Sequence, residues 1–228
     1  MEKLFYGTQD FEVKEFPNRR VIDEIDMVMT AFDCVLSDDS AIYCSSELTT
    51  GKRFYKLLKE HGARSAEELK MRLGADQYRQ KMSALMKENV ERGNLFTENI
   101  RQRGDINLIN PGPFKAKEFD QQHYLYLWEW VIIKKCYKAQ FNEDWEYSNG
   151  CALEYAIAAK KSIPRLDHLG NPLDVKTAIA KLEHALVTLK RESFKVDTLE
   201  QRLALLHKLA NEDPSISVEF QNDVARTG

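Results

Sequence analysis

The chain has 228 residues, 30% of them charged, with 36 acidic against 33 basic side chains and a net charge of −3. Such a length carries one large domain, or one domain with appendages, and can bury a core of useful size. The mildly acidic balance, without a long basic run, argues against duplex nucleic acid as the main partner and favours a small molecule.

No apolar run approaches the roughly 18 residues that a membrane-crossing helix needs, and Met1-Glu2-Lys3-Leu4 lacks the apolar block of a secretory signal. Cys34, Cys44, Cys136 and Cys151 form no C-x-x-C pair, and three of them sit in apolar or strand-like surroundings. A soluble protein of the reducing cytoplasm, with no membrane partner, is expected.

In chain order, residues 1–20 hold Phe5, Tyr6, Phe11 and Phe16 and read as an arm that packs somewhere. Ile22, Ile25, Val28, Met29 and Phe32 recur at helical spacing and predict a helix over 21–32. A turn at Asp38-Asp39-Ser40 precedes a first strand, Ala41-Ile42-Tyr43-Cys44. The hydroxyl-rich loop Ser45-Ser46-Glu47-Leu48-Thr49-Thr50-Gly51 then leads into a helix over 52–61. Such a loop can donate hydrogen bonds to sugar or phosphate oxygens, or simply connect a strand to a capped helix.

Residues 63–103 form a charge-dense helical insertion. Ser65 with Glu68 has capping-box spacing, and Leu69, Leu73, Tyr78, Met82, Leu85, Met86 and Val90 keep a helical period, broken near Gly74. A solvated flap or an oligomer contact is the expected role. Ile106 to Ile109 is a second strand that ends in the rigid turn Asn110-Pro111-Gly112-Pro113. The helix over 121–135 carries Tyr124, Tyr126, Trp128 and Trp130, core residues or a base-stacking stripe, with Glu129 among them.

A third strand near Lys138 to Phe141 runs into Glu143-Asp144-Trp145-Glu146-Tyr147-Ser148-Asn149-Gly150. The Ala-rich helix from Cys151 to Lys161 follows, with Glu154 placed in its first turn, where free N–H groups favour negative charge. Pro164 ends it before a short strand at Arg165-Leu166. Asp167-His168 belongs to a surface turn. Two amphipathic helices close the chain, with Ile179, Leu182, Leu186 and Leu189 on one and Leu199, Leu203, Leu206 and Leu209 on the other. Their stripes predict a homo-oligomer assembled through these C-terminal helices. Residues 217–228 read as a frayed polar tail.

Strand-like runs alternating with helices predict a three-layer α/β fold with a small, mostly parallel sheet of flavodoxin or Rossmann type. That domain would span 1–172, with the helical insertion at 63–103, and 173–228 would be a C-terminal helical extension.

Three segments, in order, carry a resemblance. Ser148-x-Gly150-x-x-x-Glu154-x-x-x-Ala158, followed by Ile163-Pro164, is similar to the nucleophile segment of the nucleoside 2-deoxyribosyltransferase-like superfamily, which includes nucleotide N-glycosidases. The stretch from Ala41 to Gly51 resembles that family's first strand and ligand loop, and Ile106 to Phe114 its second strand and following loop. The resemblance covers residues 41–166 and implies cleavage or transfer at the N-glycosidic bond of a nucleoside or nucleotide. Glu154 would attack the anomeric carbon. Ser148 and the Gly150 amide would hold the sugar's 5′ end, and Asp144 or Glu129 would protonate or orient the base. Tyr43 and Trp145 would wall the pocket, while Ser45, Ser46, Gly51, Pro111 and Gly112 would complete the binding loops. Nucleotide-cleaving relatives carry an Arg in the first loop; here Lys52 and Arg53 come after it, which weakens the case for a 5′-phosphate.

An NAD-cleaving glycosidase would use the same Glu on a larger substrate, and a non-catalytic nucleotide sensor would keep the pocket alone. No cofactor is implied, and the scattered histidines predict no metal site.

Overall fold

Ala41 to Cys44 run without polar alternation in β1 (Ala41–Ser45), as expected for a strand covered on both faces, and all five residues, Ser45 included, are buried. The computed structural model describes residues 19–212. It places β1 beside β2 (Leu108–Ile109) and β3 (Cys136–Phe141), with β4 (Arg165–Leu166) beyond, in the order β2-β1-β3-β4. Every pairing is parallel, with Tyr43 opposite Ile109 on one side and Ala139 on the other. The three-layer α/β fold and its small parallel sheet are therefore as expected. The readings on residues 1–18 and 213–228 lie outside the described residues.

Parallel neighbours require crossover connections, and helices supply them. The first crossover, β1 to β2, contains α2 (Lys52–Glu60), α3 (Ala66–Leu73) and the 27-residue α4 (Ala75–Arg101). Ser65 caps α3 by accepting from the Glu68 amide at 3.2 Å. The return to β3 runs through α5 (Gln121–Lys135), started by Asp120 in a reciprocal capping box with His123. α1 (Arg19–Val35) lies on α5, with Val21, Ile22 and Ile25 against Tyr126.

β3 leads through a 3₁₀ turn at Trp145–Tyr147 into α6 (Asn149–Lys160), whose residues Cys151 to Ala159 are all buried. α6 packs on α5 on one side and, on another, on α8 (Asp197–Glu212), which in turn packs on α7 (Val175–Arg191). Leu182, Leu186, Leu189, Leu199, Leu206 and Leu209 sit in the same core as the strands. Burying such a leucine contributes roughly 1.5–3 kcal/mol. The stripes expected to join two copies are thus covered within one chain, and 173–212 belongs to the body of the domain rather than forming an appendage. No helix among the described residues is long and apolar enough to cross a membrane.

Candidate active site

The sheet steps from β1 to β2 in one direction and from β1 to β3 in the other, so the winding reverses between β1 and β3. Open α/β sheets bind ligands in the crevice outside the carboxyl ends of the strands at such a reversal. Side chains alternate along β1, which sends Cys44 to one face and Tyr43 and Ser45 to the other. Cys44 packs with Phe96 and Ile100 of α4. The ring of Tyr43 meets Trp128 of α5 edge-on at 6.3 Å.

Glu154 projects from α6 onto this second face. Its Oε1 accepts from the Tyr43 hydroxyl at 2.8 Å and its Oε2 from the Ser45 hydroxyl at 2.6 Å. The helix begins at Asn149, so Glu154 stands in its second turn and not its first. Burial pushes the carboxyl above its ordinary range, and the two hydroxyl donors pull against that shift by favouring the ionised form. The same burial and the neighbouring carboxylate raise Tyr43 well above a free phenol, so it stays a donor. The arrangement is a buried carboxylate with each oxygen held by one neutral donor.

The loops after β1 and β3 meet above it. Ser148 caps α6 and lies 3.3 Å from the Thr50 hydroxyl, which accepts from the Asn149 amide at 3.1 Å. Gly150 follows in the first turn of α6. Asp144, in the left-handed region at φ 64°, turns the chain ahead of the 3₁₀ segment and pairs with Lys52 at 3.0 Å. Asp144 therefore stands at the rim, bridging the two loops.

Several expected residues take other positions. Trp145 does not wall a pocket: it is 3% exposed, stacked on Tyr155 at 4.9 Å and packed on Phe141, inside the core. Tyr43 holds the carboxylate directly instead of lining an outer wall. Glu129 is buried in α5, and one residue beyond Trp128 the helix turns it about 100° toward the flank where Tyr126 meets α1. It is not among the hydrogen-bond partners of Glu154. Pro111 and Gly112 lie one strand out, after β2, where the Asn110 side chain accepts from the Gly112 amide at 3.0 Å and donates to Asn94 of α4 at 2.9 Å.

The insertion is no free flap. α4 crosses the sheet end and grips the β1 loop: Asn89 donates to the Leu48 carbonyl at 2.9 Å, and Arg92 pairs with Glu47. Gly93 lies so near Ser46 that a Cβ there would stand 2.6 Å from the Ser46 hydroxyl oxygen. Gly51, at φ 119°, caps α2 and packs on the Glu47 side chain. Glu47, Asn89 and Arg92 had no signal in the sequence beyond their presence in a candidate loop and a charged helix.

No protein-family model, curated protein or solved structure matches the chain.

Proposed function

We propose that the protein cleaves or transfers the N-glycosidic bond of a nucleoside or nucleotide, with Glu154 as nucleophile. The observation that carries this reading is the Tyr43–Glu154–Ser45 arrangement at the winding reversal of the sheet. A buried carboxylate costs several kcal/mol unless it is paired or bonded; here two hydroxyls offset part of that cost and no cation among the described residues neutralises the anion, so Glu154, once ionised above its raised pKa, carries a full charge for attack.

In the first step an oxygen of Glu154 bonds to the anomeric carbon while the C–N bond breaks. Its electron pair passes to the base nitrogen, which takes up a proton from solvent at the rim, where Asp144, ion-paired with Lys52, can orient the base. In the second step water, or another base, attacks the anomeric carbon from the opposite side and Glu154 departs, restoring the carboxylate and the original configuration. With water as acceptor a proton is released, replacing the one consumed. Tyr43 and Ser45 stabilise the anion that enters and leaves this cycle. Access requires the loops to part at the Thr50–Ser148 contact. Phe54, Tyr55, Thr49, Thr50 and Asn149 line a neighbouring cleft of about 390 Å³ on the α2 side.

A panel of nucleosides, their 5′-monophosphates and NAD, assayed for released base, tests the reading. Glu154→Gln keeps size and shape but removes the anion, and should lower turnover on a cleaved substrate about 10³-fold or more with little change in binding. Activity within about tenfold of wild type would return Glu154 to a structural role.

A further inference from the structure

We infer that Glu47 is a specificity-determining residue that accepts a hydrogen bond from a sugar hydroxyl, selecting an unphosphorylated nucleoside over its 5′-monophosphate; the inference rests on the glycosidase reading above. Glu47 is 4% exposed in the loop directly after β1, two residues beyond Ser45. One carboxylate oxygen is engaged by Arg92, while the other, Oε2, is buried without a hydrogen-bond partner among the described residues. Above about pH 7, where Glu47 is ionised, the carboxylate can only accept, so that oxygen calls for a donor, and a sugar hydroxyl is one.

The position of the side chain also argues against phosphate. Glu47 lies against Gly51, the cap of α2, where a Cβ on the glycine would stand 2.8 Å from Oε2. The protein's own carboxylate thus sits beside a helix N-terminus that would otherwise favour an anion. Three nearby cations among the described residues have carboxylate partners: Lys52 with Asp144 at 3.0 Å, Arg53 with Glu88 at 2.9 Å, and Arg92 with Glu47. A phosphate entering here would have to break one of these pairs and approach Glu47 and Asp144, like charges that a specific site uses to reject a ligand. A hydroxyl meets neither obstacle.

The test compares, at a pH above the Glu47 value of about 7, kcat/KM for ribo- and deoxyribonucleosides with that for their 5′-monophosphates on the full-length wild type, by release of base. Glu154→Gln protein is titrated in parallel by calorimetry with the same pairs, giving affinities independent of turnover. The nucleoside should be favoured by about tenfold or more in both measurements, and Glu47→Gln should bring the two forms within about threefold by removing the repulsion. The wild-type ratio needs no variant to fold. Cleavage that depends on Glu154 but prefers the monophosphate would overturn the role of Glu47 and leave the glycosidase reading intact. Neither cleavage nor binding of any pair would overturn both.

Discussion

Replacing Tyr43 by Phe deletes one oxygen from a fully buried ring and leaves the Trp128 contact in place. What is lost is the 2.8 Å bond to Glu154. A hydrogen bond to a charged group contributes about 1.5–3 kcal/mol, and that support is specific to the ionised carboxylate. Without it the Glu154 pKa moves further above its already raised position, so the acid limb of kcat/KM should shift to higher pH. On that limb the same energy corresponds to a loss of about 10- to 150-fold; at alkaline pH, where the carboxylate is ionised regardless, much of the activity should return. Stability has the matching sign. A carboxyl with a raised folded-state pKa is best accommodated when protonated, so the deficit of Tyr43→Phe should be small below the unfolded value of 4.5 and grow as pH rises through the folded value. Melting curves at acid and alkaline pH measure this without any substrate. A pH-independent loss, or an acid limb that stays in place, would refute the claim that Tyr43 acts by holding the anion.

Burial pushes Glu47 up to about 7 in spite of Arg92. The folded chain therefore binds this proton more tightly than the unfolded chain between 4.5 and about 7, and stability should decline with rising pH across that window, by on the order of 3 kcal/mol. Urea midpoints at both ends of the window should lose that difference in Glu47→Gln. Arg92→Ala strands a buried carboxylate and should cost about 3–5 kcal/mol above neutrality and less under acid conditions, whereas a pH-independent cost would mean that only packing was lost. Truncation before Asp174 removes α7 and α8, uncovers the face of α6 that α8 covers, and should abolish the cooperative melt; a folded, smaller monomer by circular dichroism and light scattering would show the terminal helices to be separable.

The sheet was legible because strands buried on both faces are short, apolar and punctuated, and Ala41 to Cys44 has that form; of the run Ile106 to Ile109 only Leu108–Ile109 is strand, and Ile106 is exposed instead of buried. The sequence put Glu154 on the helix after the third strand, where the structure has it. Its partners were not legible: a tyrosine inside an apolar strand gives no sign that its hydroxyl meets a carboxylate 111 residues later. The insertion misled because its charge describes only the solvent side of α4. The side that grips the loop and sheet is built from Asn89, Gly93 and Thr97 with Phe96 and Ile100, a mixture without a clear apolar stripe. Trp145 misled through its polar neighbours, since period and composition do not reveal a ring stacked beneath a turn. The terminal stripes were correctly read as apolar, but periodicity does not say whether the surface that covers them belongs to the same chain.

The burial of α6 has a consequence for the timing of motion. Nine of its twelve residues are buried, enclosed by β3, α5 and α8, so its amides can meet solvent only when the core itself opens. Their hydrogen exchange should track global unfolding, while amides of Ser46 to Thr50 exchange through local openings that cost far less. The Glu154 carboxylate, the proposed nucleophile, is thereby tied to the slowest-moving part of the molecule, and the loop after β1 belongs to the faster part. Sequence drift in that loop can then change its surface without displacing Glu154, whereas drift on α6 puts the fold and the proposed nucleophile at risk together.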